Sequence, residues 1–316
     1  MRPPEFWQRD GLLGRALAPL GAVTSAITAR RMARTGFDCG VPVVCIGNAG
    51  VGGAGKTILA RHVLGIYEAR GVLPCALSRG HGGRVKGPAL VDPARHSAGD
   101  VGDEALLLAA TAATIVARDR AAGARLAVAE GARVIVMDDG LQNPGLVKSV
   151  SLLTIDGGAG FGNGRLLPAG PLRESVVAAA ARCDAAVMIG DDARGARAML
   201  PHTLPVLTAR IVVRGPVPLR GRRVVGFAGI GRPDKFFASL AGLGVELVAT
   251  RGFPDHHRYT VADLARLRGF AAHHRARLAT TEKDAVKLPD AFLADCLIIR
   301  AGLAFDDPAA LSDLLP

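Results

Sequence analysis

Residues 41–57, VPVVCIGNAGVGGAGKT, join an apolar, β-branched run to a glycine-rich turn that ends in lysine and threonine. The turn at residues 50–57 matches the pattern G-x-x-x-x-G-K-[ST], and a helical stretch follows it to about Arg70. Glycines let the backbone curl so that successive N–H groups point at a phosphate, and the N-terminus of the next helix adds partial positive charge. A chance glycine-rich turn is the weaker interpretation, because both flanking elements suit the motif. The stretch predicts a P-loop.

A P-loop binds a nucleoside triphosphate together with Mg²⁺, and each of its residues has a predictable part. Backbone N–H groups would surround the β-phosphate, Lys56 would bridge the β- and γ-phosphates, and Thr57 would direct its hydroxyl to the metal shell. This chemistry favours a phosphotransferase. The predicted nucleotide-binding residues are Gly50, Gly52, Gly53, Ala54, Gly55, Lys56 and Thr57.

The chain beyond the P-loop alternates short apolar strands with helical segments. Such alternation predicts an α/β fold with a P-loop NTPase-like, doubly wound and mostly parallel sheet. The predicted strands lie at residues 74–78, 114–117, 133–137, 149–155 and 185–189.

Near residue 205 the pattern changes, and a second, smaller α/β domain is predicted. Two β-rich segments, residues 205–213 and 222–228, flank a turn at 215–221, where we expect the domain junction as a two-stranded linker. Three more strands, with helices beginning at Asp234 and Val261, follow. The predicted organisation is a membrane-associating helix at residues 1–35, a P-loop core domain at 36–212 and the smaller domain at 213–316.

Composition and charge restrict the partners. The 316 residues are 49% apolar and 21% charged, which excludes wholesale disorder. The net charge of +11 favours an anionic partner: a phosphorylated substrate, a negatively charged membrane surface or nucleic acid. The basic residues are scattered without interleaved aromatics, so no nucleic-acid partner is expected, and no obligate protein partner is predicted. The five widely spaced cysteines are expected to be reduced thiols.

The N-terminal segment is apolar enough to meet a membrane. Residues 11–29 read GLLGRALAPLGAVTSAITA, carry one charge and are followed by three arginines within five residues. Arg15 and Pro19 lie in the middle of the segment and make a spanning helix costly. An interfacial helix with a basic flank fits better, and a surface helix packed on the core is the alternative.

A second acidic motif, Asp138-Asp139-Gly140, ends the predicted strand at residues 133–137. Carboxylates at the C-terminal edge of a parallel strand face the same crevice as the P-loop. An Asp in this position orients Mg²⁺ in P-loop enzymes. A simple turn is the alternative, and the neighbouring P-loop makes it the weaker one.

Three polar positions keep two interpretations each. Asp103 opens a predicted helix, so it is either an N-cap or a general base or metal-shell carboxylate. His256 and His257 follow a strand of the second domain, and adjacent imidazoles in a polar loop more often face solvent or a site than a core. Thr281 ends another strand there and is expected to cap the next helix.

In this order the motifs resemble those of the tetraacyldisaccharide 4′-kinase family, the lipid A 4′-kinases of Gram-negative bacteria, over nearly the whole chain. The most specific stretch is LLPAGPLRE at residues 166–174. The others are GNAGVGGAGKT at 47–57, LSRG at 77–80, VGDE at 101–104, DDGLQ at 138–142, FPDHH at 253–257 and TEKD at 281–284.

The resemblance implies transfer of the γ-phosphate of ATP, with Mg²⁺, to the 4′-hydroxyl of tetraacyldisaccharide 1-phosphate. It implies an enzyme on the cytoplasmic face of the bacterial inner membrane, peripheral or N-terminally anchored. It implies a catalytic Asp–His pair, Asp103 with His256 or, as the alternative, His257, acting with Lys56. The implied metal residues are Thr57, Glu104, Asp138 and Asp139, and the implied substrate residues are Arg79, Gln142 and Arg173.

Three positions depart from the family pattern. Ala54 and Ile58 stand where Thr and Pro are usual, and His81 stands where Tyr is usual. Ala54 leaves the phosphate cradle intact, because the backbone supplies its contacts. The change to His81 puts any aromatic stacking at that position in doubt.

Two other functions remain as alternatives. A membrane-associated NTPase switch of the GTPase type needs Asn-Lys-x-Asp, and the lysine of TEKD, Lys283, stands one place too late. A partitioning ATPase carries a signature lysine early in its P-loop, where this chain has Val51 or Gly52. A kinase for a soluble small molecule would not need residues 11–34.

Overall fold

The computed structural model describes residues 4–216 and 219–316. The helices are α1 (Leu12–Met32), α2 (Lys56–Ala69), α3 (Ala98–Val101), α4 (Asp103–Ala109), α5 (Arg120–Ala129), α6 (Val176–Ala180), α7 (Pro233–Gly242), α8 (Val261–His273), α9 (Glu282–Ala285), α10 (Asp290–Leu293) and α11 (Pro308–Leu314). The strands are β1 (Val43–Gly47), β2 (Pro74–Ser78), β3 (Ala89–Leu90), β4 (Ala113–Val116), β5 (Val134–Asp138), β6 (Val150–Asp156), β7 (Ala185–Ile189), β8 (Val206–Arg214), β9 (Arg223–Ala228), β10 (Glu246–Gly252), β11 (Arg277–Thr281) and β12 (Cys296–Phe305).

The strands form one sheet in the order β10-β9-β11-β12-β8-β7-β6-β1-β5-β2-β4-β3. Within the described residues the antiparallel pairs are β8 with β12 and β3 with β4, and the other neighbours run parallel. Strand β1, which leads into the P-loop, lies between β6 and β5. The predicted doubly wound, mostly parallel α/β sheet is confirmed.

Both faces of β1 are covered, which explains why its sequence is apolar without alternation. All five of its residues are buried. Val44 and Ile46 pack in the cluster that contains helix α2, whereas Val43 and Cys45 pack with residues of α5 on the opposite face. A central strand buried between two helical layers holds the P-loop rigidly at its C-terminal end.

Strand β12 connects the two parts of the sheet. Its residues 296–299 pair in parallel with β11, and its residues 300–305 pair antiparallel with β8. The two-stranded linker is therefore β8 with the second half of β12. The segment at residues 222–228, expected beside the first linker strand, instead forms β9, which pairs with β10 and β11 and has five of its six residues buried. Residues 217–218 of the expected turn lie outside the described residues.

One side of helix α1 packs on the loop that precedes α6, and the other side is exposed. Gly14 and Gly21 are buried in it, and Thr24 Oγ1 donates to the carbonyl of Leu167 at 2.8 Å. By length and composition α1 is one helix that could span a membrane, with 11% of its apolar window buried. The exposed large apolar side chains of α1 are Leu12, Leu13, Leu20, Val23 and Ile27.

Several short elements were not predicted from the sequence. These include α6 and the terminal helix α11, whose Leu311 lies in the core cluster that contains residues of α2. Tyr67 Oη of α2 donates to the carbonyl of Pro316, which follows α11, at 3.1 Å. Thr281 caps α9 through its side chain, as predicted. The five cysteines are free thiols.

Candidate active site

The P-loop curls at the C-terminal end of β1 and opens helix α2. Gly55 has φ +82°, a backbone conformation that favours glycine, and a Cβ there would lie 2.6 Å from Ile189 Cδ1. Lys56 is the first residue of α2, and its Nζ lies 3.0 Å from Asn48 Oδ1 and 3.1 Å from Asp139 Oδ1. These two oxygens hold the ammonium group at the mouth of the loop, where phosphates would bind.

Thr57 and Asp138 form the candidate metal position. Thr57 Oγ1 donates to Asp138 Oδ2 at 3.0 Å, while the buried Oδ1 of Asp138 has no hydrogen-bond partner. Burial, and next the charge of Glu104, raise the pKa of Asp138 to about 7. A buried carboxylate with an unpartnered oxygen suits a divalent cation. Within the described residues there is no group of three or more His, Cys, Asp or Glu that could hold a metal ion.

The Asp139 carboxylate faces the P-loop lysine, Lys56. Arg173 Nη1 lies 3.1 Å from its Oδ1 and 3.2 Å from Gln142 Oε1. Burial opposes ionisation, but the charges of Lys56 and Arg173 lower the pKa of Asp139. Asp139 has φ 53°, an unusual backbone conformation for a residue other than glycine. The fold therefore accepts local strain to aim this carboxylate at Lys56.

Helix α4 and the second domain meet at Asp103 and His256. His256 Nδ1 lies 2.8 Å from Asp103 Oδ2 and 3.0 Å from Oδ1. Gly102 is the N-cap of α4, so Asp103 is the first helical residue and not the cap. The bond to Asp103 raises the pKa of His256. Burial opposes ionisation of Asp103, yet His256 and Lys283 lower its pKa. His256, like Asp139, has a positive φ, 58°.

His257 takes a different direction. Its Nε2 lies 3.1 Å from Asp263 Oδ2, and its ring stacks on Phe253 at 4.7 Å between centroids. Tyr259 meets the same ring edge-on. These contacts hold His257 within its own domain, away from Asp103. Of the two candidate histidines, His256 is the one that reaches α4.

Helix α9 joins the second domain to the first through consecutive side chains. Glu282 accepts two bonds from Arg61 of α2, at 2.9 and 3.0 Å. Lys283 Nζ lies 3.2 Å from Asp255 Oδ1 and 3.9 Å from Glu104 Oε1. Burial opposes its charge, but the neighbouring carboxylates raise the pKa of Lys283. The TEKD motif thus contacts both the P-loop helix and the helix that carries Asp103.

One predicted substrate residue, Arg79, makes none of these contacts, and two residues that do make them were not predicted. Arg79 is exposed immediately after β2, and after burial its positive charge is the next cause that lowers the pKa of Arg120. Sequence reasoning assigned no role to Asn48, which holds Lys56, or to Glu174, which accepts from Gln142 Nε2 at 2.7 Å and from Arg182. Asn48 immediately precedes the P-loop and Glu174 ends the LLPAGPLRE stretch, so their positions in the motifs were the available signal.

The family model of tetraacyldisaccharide-1-P 4′-kinase, LpxK, matches residues 13–316. The chain belongs to this family. It is 53% identical to the tetraacyldisaccharide 4′-kinase of Gluconacetobacter diazotrophicus over 100% of this chain and 97% of that protein. It is 52% identical to the enzyme of the same name from Methylobacterium radiotolerans over 98% of this chain and 97% of that protein.

A solved structure of the family has the same fold. The chain is similar to LpxK from Aquifex aeolicus, crystallised in complex with ATP, with a TM-score of 0.78 and 25% identity. The similarity covers 96% of this chain and 98% of that one. Family membership makes this protein an enzyme of lipid A synthesis and a kinase, as the motifs predicted.

Proposed function

We propose that this chain transfers the γ-phosphate of ATP, with Mg²⁺, to the 4′-hydroxyl of tetraacyldisaccharide 1-phosphate. The observation that carries the proposal is the Asp103–His256 pair, which stands beside a complete P-loop in a member of the tetraacyldisaccharide 4′-kinase family. ATP is bound by the Aquifex aeolicus relative.

Asp103 and His256 act on the acceptor alcohol. An alcohol is a poor nucleophile, so a carboxylate within hydrogen-bond reach increases the rate as the hydroxyl proton leaves. Asp103 accepts that proton, and His256 orients the carboxylate through the 2.8 Å contact. Lys56 attracts the β- and γ-phosphates, which draws its ammonium from Asp139 toward the ligand.

Thr57 and Asp138 would hold Mg²⁺, and Glu104 and Asp139 complete the acidic surroundings of the metal. Bound Mg²⁺ supplies charge that neutralises the phosphate oxygens as the phosphoryl group leaves. The unpartnered Oδ1 of Asp138 supports this assignment, because a buried anionic oxygen requires a partner.

Gln142, Arg173 and Arg79 are proposed to contact the lipid substrate. Arg173 and Gln142 are bonded to each other at 3.2 Å on the side of the site that carries α1. Arg31 at the end of α1 donates to the carbonyl of Gln142 at 2.6 Å, which links the apolar helix to these residues directly. Arg79 has an exposed guanidinium suited to an anionic group.

The enzyme works at the cytoplasmic face of the inner membrane, peripherally or anchored by α1. Exposed leucines on α1 and a net charge of +11 support binding to an anionic lipid surface. We place the membrane-associating segment at residues 1–35, the P-loop kinase core at 36–212 and the smaller domain at 213–316. Burial of lipid-facing α1 in the bilayer would present the sugar to the site and leave the nucleotide in water.

The test is transfer of ³²P from labelled ATP to purified tetraacyldisaccharide 1-phosphate in detergent micelles. Labelled lipid is expected with the wild-type chain and its loss with Lys56→Ala. Arg223→Met, at the opposite end of β9 from the site, is the control that retains activity. ATP hydrolysis without a lipid product would contradict the proposal and favour an NTPase switch.

A further inference from the structure

Strand β6 ends beside the P-loop with an acidic residue, Asp156. Asp156 pairs in register with Ile189 of β7, so both side chains lie on the same face of the sheet. Ile189 is a neighbour of the P-loop, since its Cδ1 lies 2.6 Å from the position of a Cβ on Gly55. Asp156 therefore stands one strand away from the residue that contacts the phosphate-binding turn.

Two cations of the second domain converge on this carboxylate. Arg232, the N-cap residue of α7, forms an ion pair with Asp156 Oδ2, and Lys235 Nζ lies 3.2 Å from Oδ1. A Cβ on Gly158 would lie 3.3 Å from Lys235 Nζ, so the loop after β6 follows the cluster closely. Burial and the charge of Arg232 lower the pKa of Lys235.

The cluster has one positive charge in excess and is open to solvent. The Asp156 side chain is 15% exposed, whereas the Arg232 and Lys235 side chains are 39% and 53% exposed. One carboxylate cannot balance both cations. The remaining charge attracts an anion, and the P-loop beside it is built to hold one.

The order of strands indicates which end of a nucleotide the cluster would meet. Strand β1 lies between β5 and β6. Thr57 and Asp138 mark the β5 side as the metal side, where the β- and γ-phosphates of ATP would lie. The cluster is on the β6 side, so we expect it to lie near the α-phosphate and the nucleoside of ATP.

We propose that Arg232 and Lys235 are nucleotide-binding residues of the second domain, which Asp156 holds in place until ATP binds. The α-phosphate end of the nucleotide then takes up the charge that Asp156 leaves unbalanced, and α7 contacts the ligand through its first turn. This inference rests on the proposed ATP-dependent function and adds residues outside the family motifs to its nucleotide site.

The test measures the Kd of ATP and of ADP by calorimetry with Mg²⁺ and without lipid. Combined Arg232→Met and Lys235→Met substitutions should weaken both nucleotides by about tenfold, the size of one charge-assisted hydrogen bond. Asp156→Asn should strengthen binding by about twofold to threefold, because it removes a competing anion. The exposed pair of Arg223 with Glu246, at 2.9 Å, provides matched controls, Arg223→Met and Glu246→Gln, that should leave Kd unchanged.

The double methionine variant and Asp156→Asn are expected to change Kd in opposite directions, and this difference tests the inference. Weaker binding in Asp156→Asn would overturn the inference and make the cluster a clamp between domains. An unchanged Kd in the double methionine variant would overturn it as well. Arg232→Lys keeps the positive charge and serves as a check that the loss is not due to misfolding. Its Kd should stay within about twofold of wild type, whereas a tenfold loss would contradict the inference. ATP binding without lipid phosphorylation would contradict the proposed function but would leave this inference intact.

Discussion

His256 Nδ1 lies 2.8 Å from Asp103 Oδ2, although 153 positions separate the two residues in the chain. The contact joins the smaller α/β domain to the first residue of α4 in the P-loop domain. The two side chains can meet only when one domain is docked on the other. If the proposed roles of Asp103 and His256 hold, catalysis requires the contact between the two domains as well as the two motifs.

Asp103→Ala is expected to lower kcat by about 10²- to 10⁴-fold while the Kd of ATP stays within about threefold. Within the described residues, the Asp103 carboxylate is hydrogen-bonded to His256 and to the backbone N–H of Glu104, and to no residue of the P-loop. Steady-state kinetics and calorimetry measure the two effects separately. A large loss of ATP binding with unchanged turnover would contradict the base assignment.

The two adjacent histidines should differ in their effects. His256→Ala is expected to reduce kcat at least about tenfold, because Asp103 loses its orienting partner. His257→Ala is expected to keep kcat and to lower Tm, since His257 packs between Phe253 and Tyr259 inside its own domain. Activity assays with thermal unfolding compare them. A variant of His257 with lost turnover and wild-type Tm would reverse the assignment.

Asp138→Asn is expected to keep or raise the Tm of the nucleotide-free chain, because it removes a buried carboxylate with an unpartnered oxygen. The same variant should lose most of the increase in Tm that Mg²⁺ with ATP produces in the wild type. Thermal unfolding with and without the metal measures both. Asp119→Asn, at the N-cap of α5, is the control whose response to Mg²⁺ should be unchanged. An unaltered Mg²⁺ response in Asp138→Asn would remove it from the metal site.

Asp263 should contribute a pH-dependent part of the stability. Hydrogen bonds from the Thr260 backbone and side chain, and then from His257, lower the pKa of Asp263 to about 2. Its folded-state pKa lies below the usual 3.9, so its contribution is complete above about pH 4 and is lost as pH falls toward 2. Denaturant unfolding of wild type and Asp263→Asn should therefore differ most near neutral pH and converge in acid. A difference that grows on acidification would show the wrong sign.

Leu20→Asp with Val23→Asp is expected to weaken binding to anionic lipid vesicles by about tenfold or more, because both side chains are exposed on α1. Transfer of ³²P to lipid dispersed in monodisperse detergent should change less. Val261→Asp is the matched control, since Val261 is 85% exposed on α8 in the other domain. Equal vesicle binding by both variants would exclude α1 as the membrane contact. Flotation with vesicles measures the difference.

The local motifs were predictable, and the partners of their side chains were not. Lys56 was recognised from eight consecutive residues, yet its contacts with Asn48 and Asp139 come from the ends of two different strands. The sequence left Asp103 as either an N-cap or a general base. Because Gly102 is the N-cap of α4, the structure excludes the first interpretation. The linker was expected between neighbouring segments, whereas β8 pairs with β12 from the far end of the chain.

The sequence by itself determined the P-loop, the parallel sheet and the family, because each depends on local backbone preference, apolar patterning or the order of short motifs. The tertiary structure alone decided that His256 and not His257 meets Asp103, that Lys283 joins three carboxylates, and that two cations of α7 meet Asp156. These contacts join residues that are distant in the chain, and their energies arise from distance and burial in the folded molecule. No spacing in the sequence encodes such distances directly, so they follow only once the sheet order and the docking of the two domains are known.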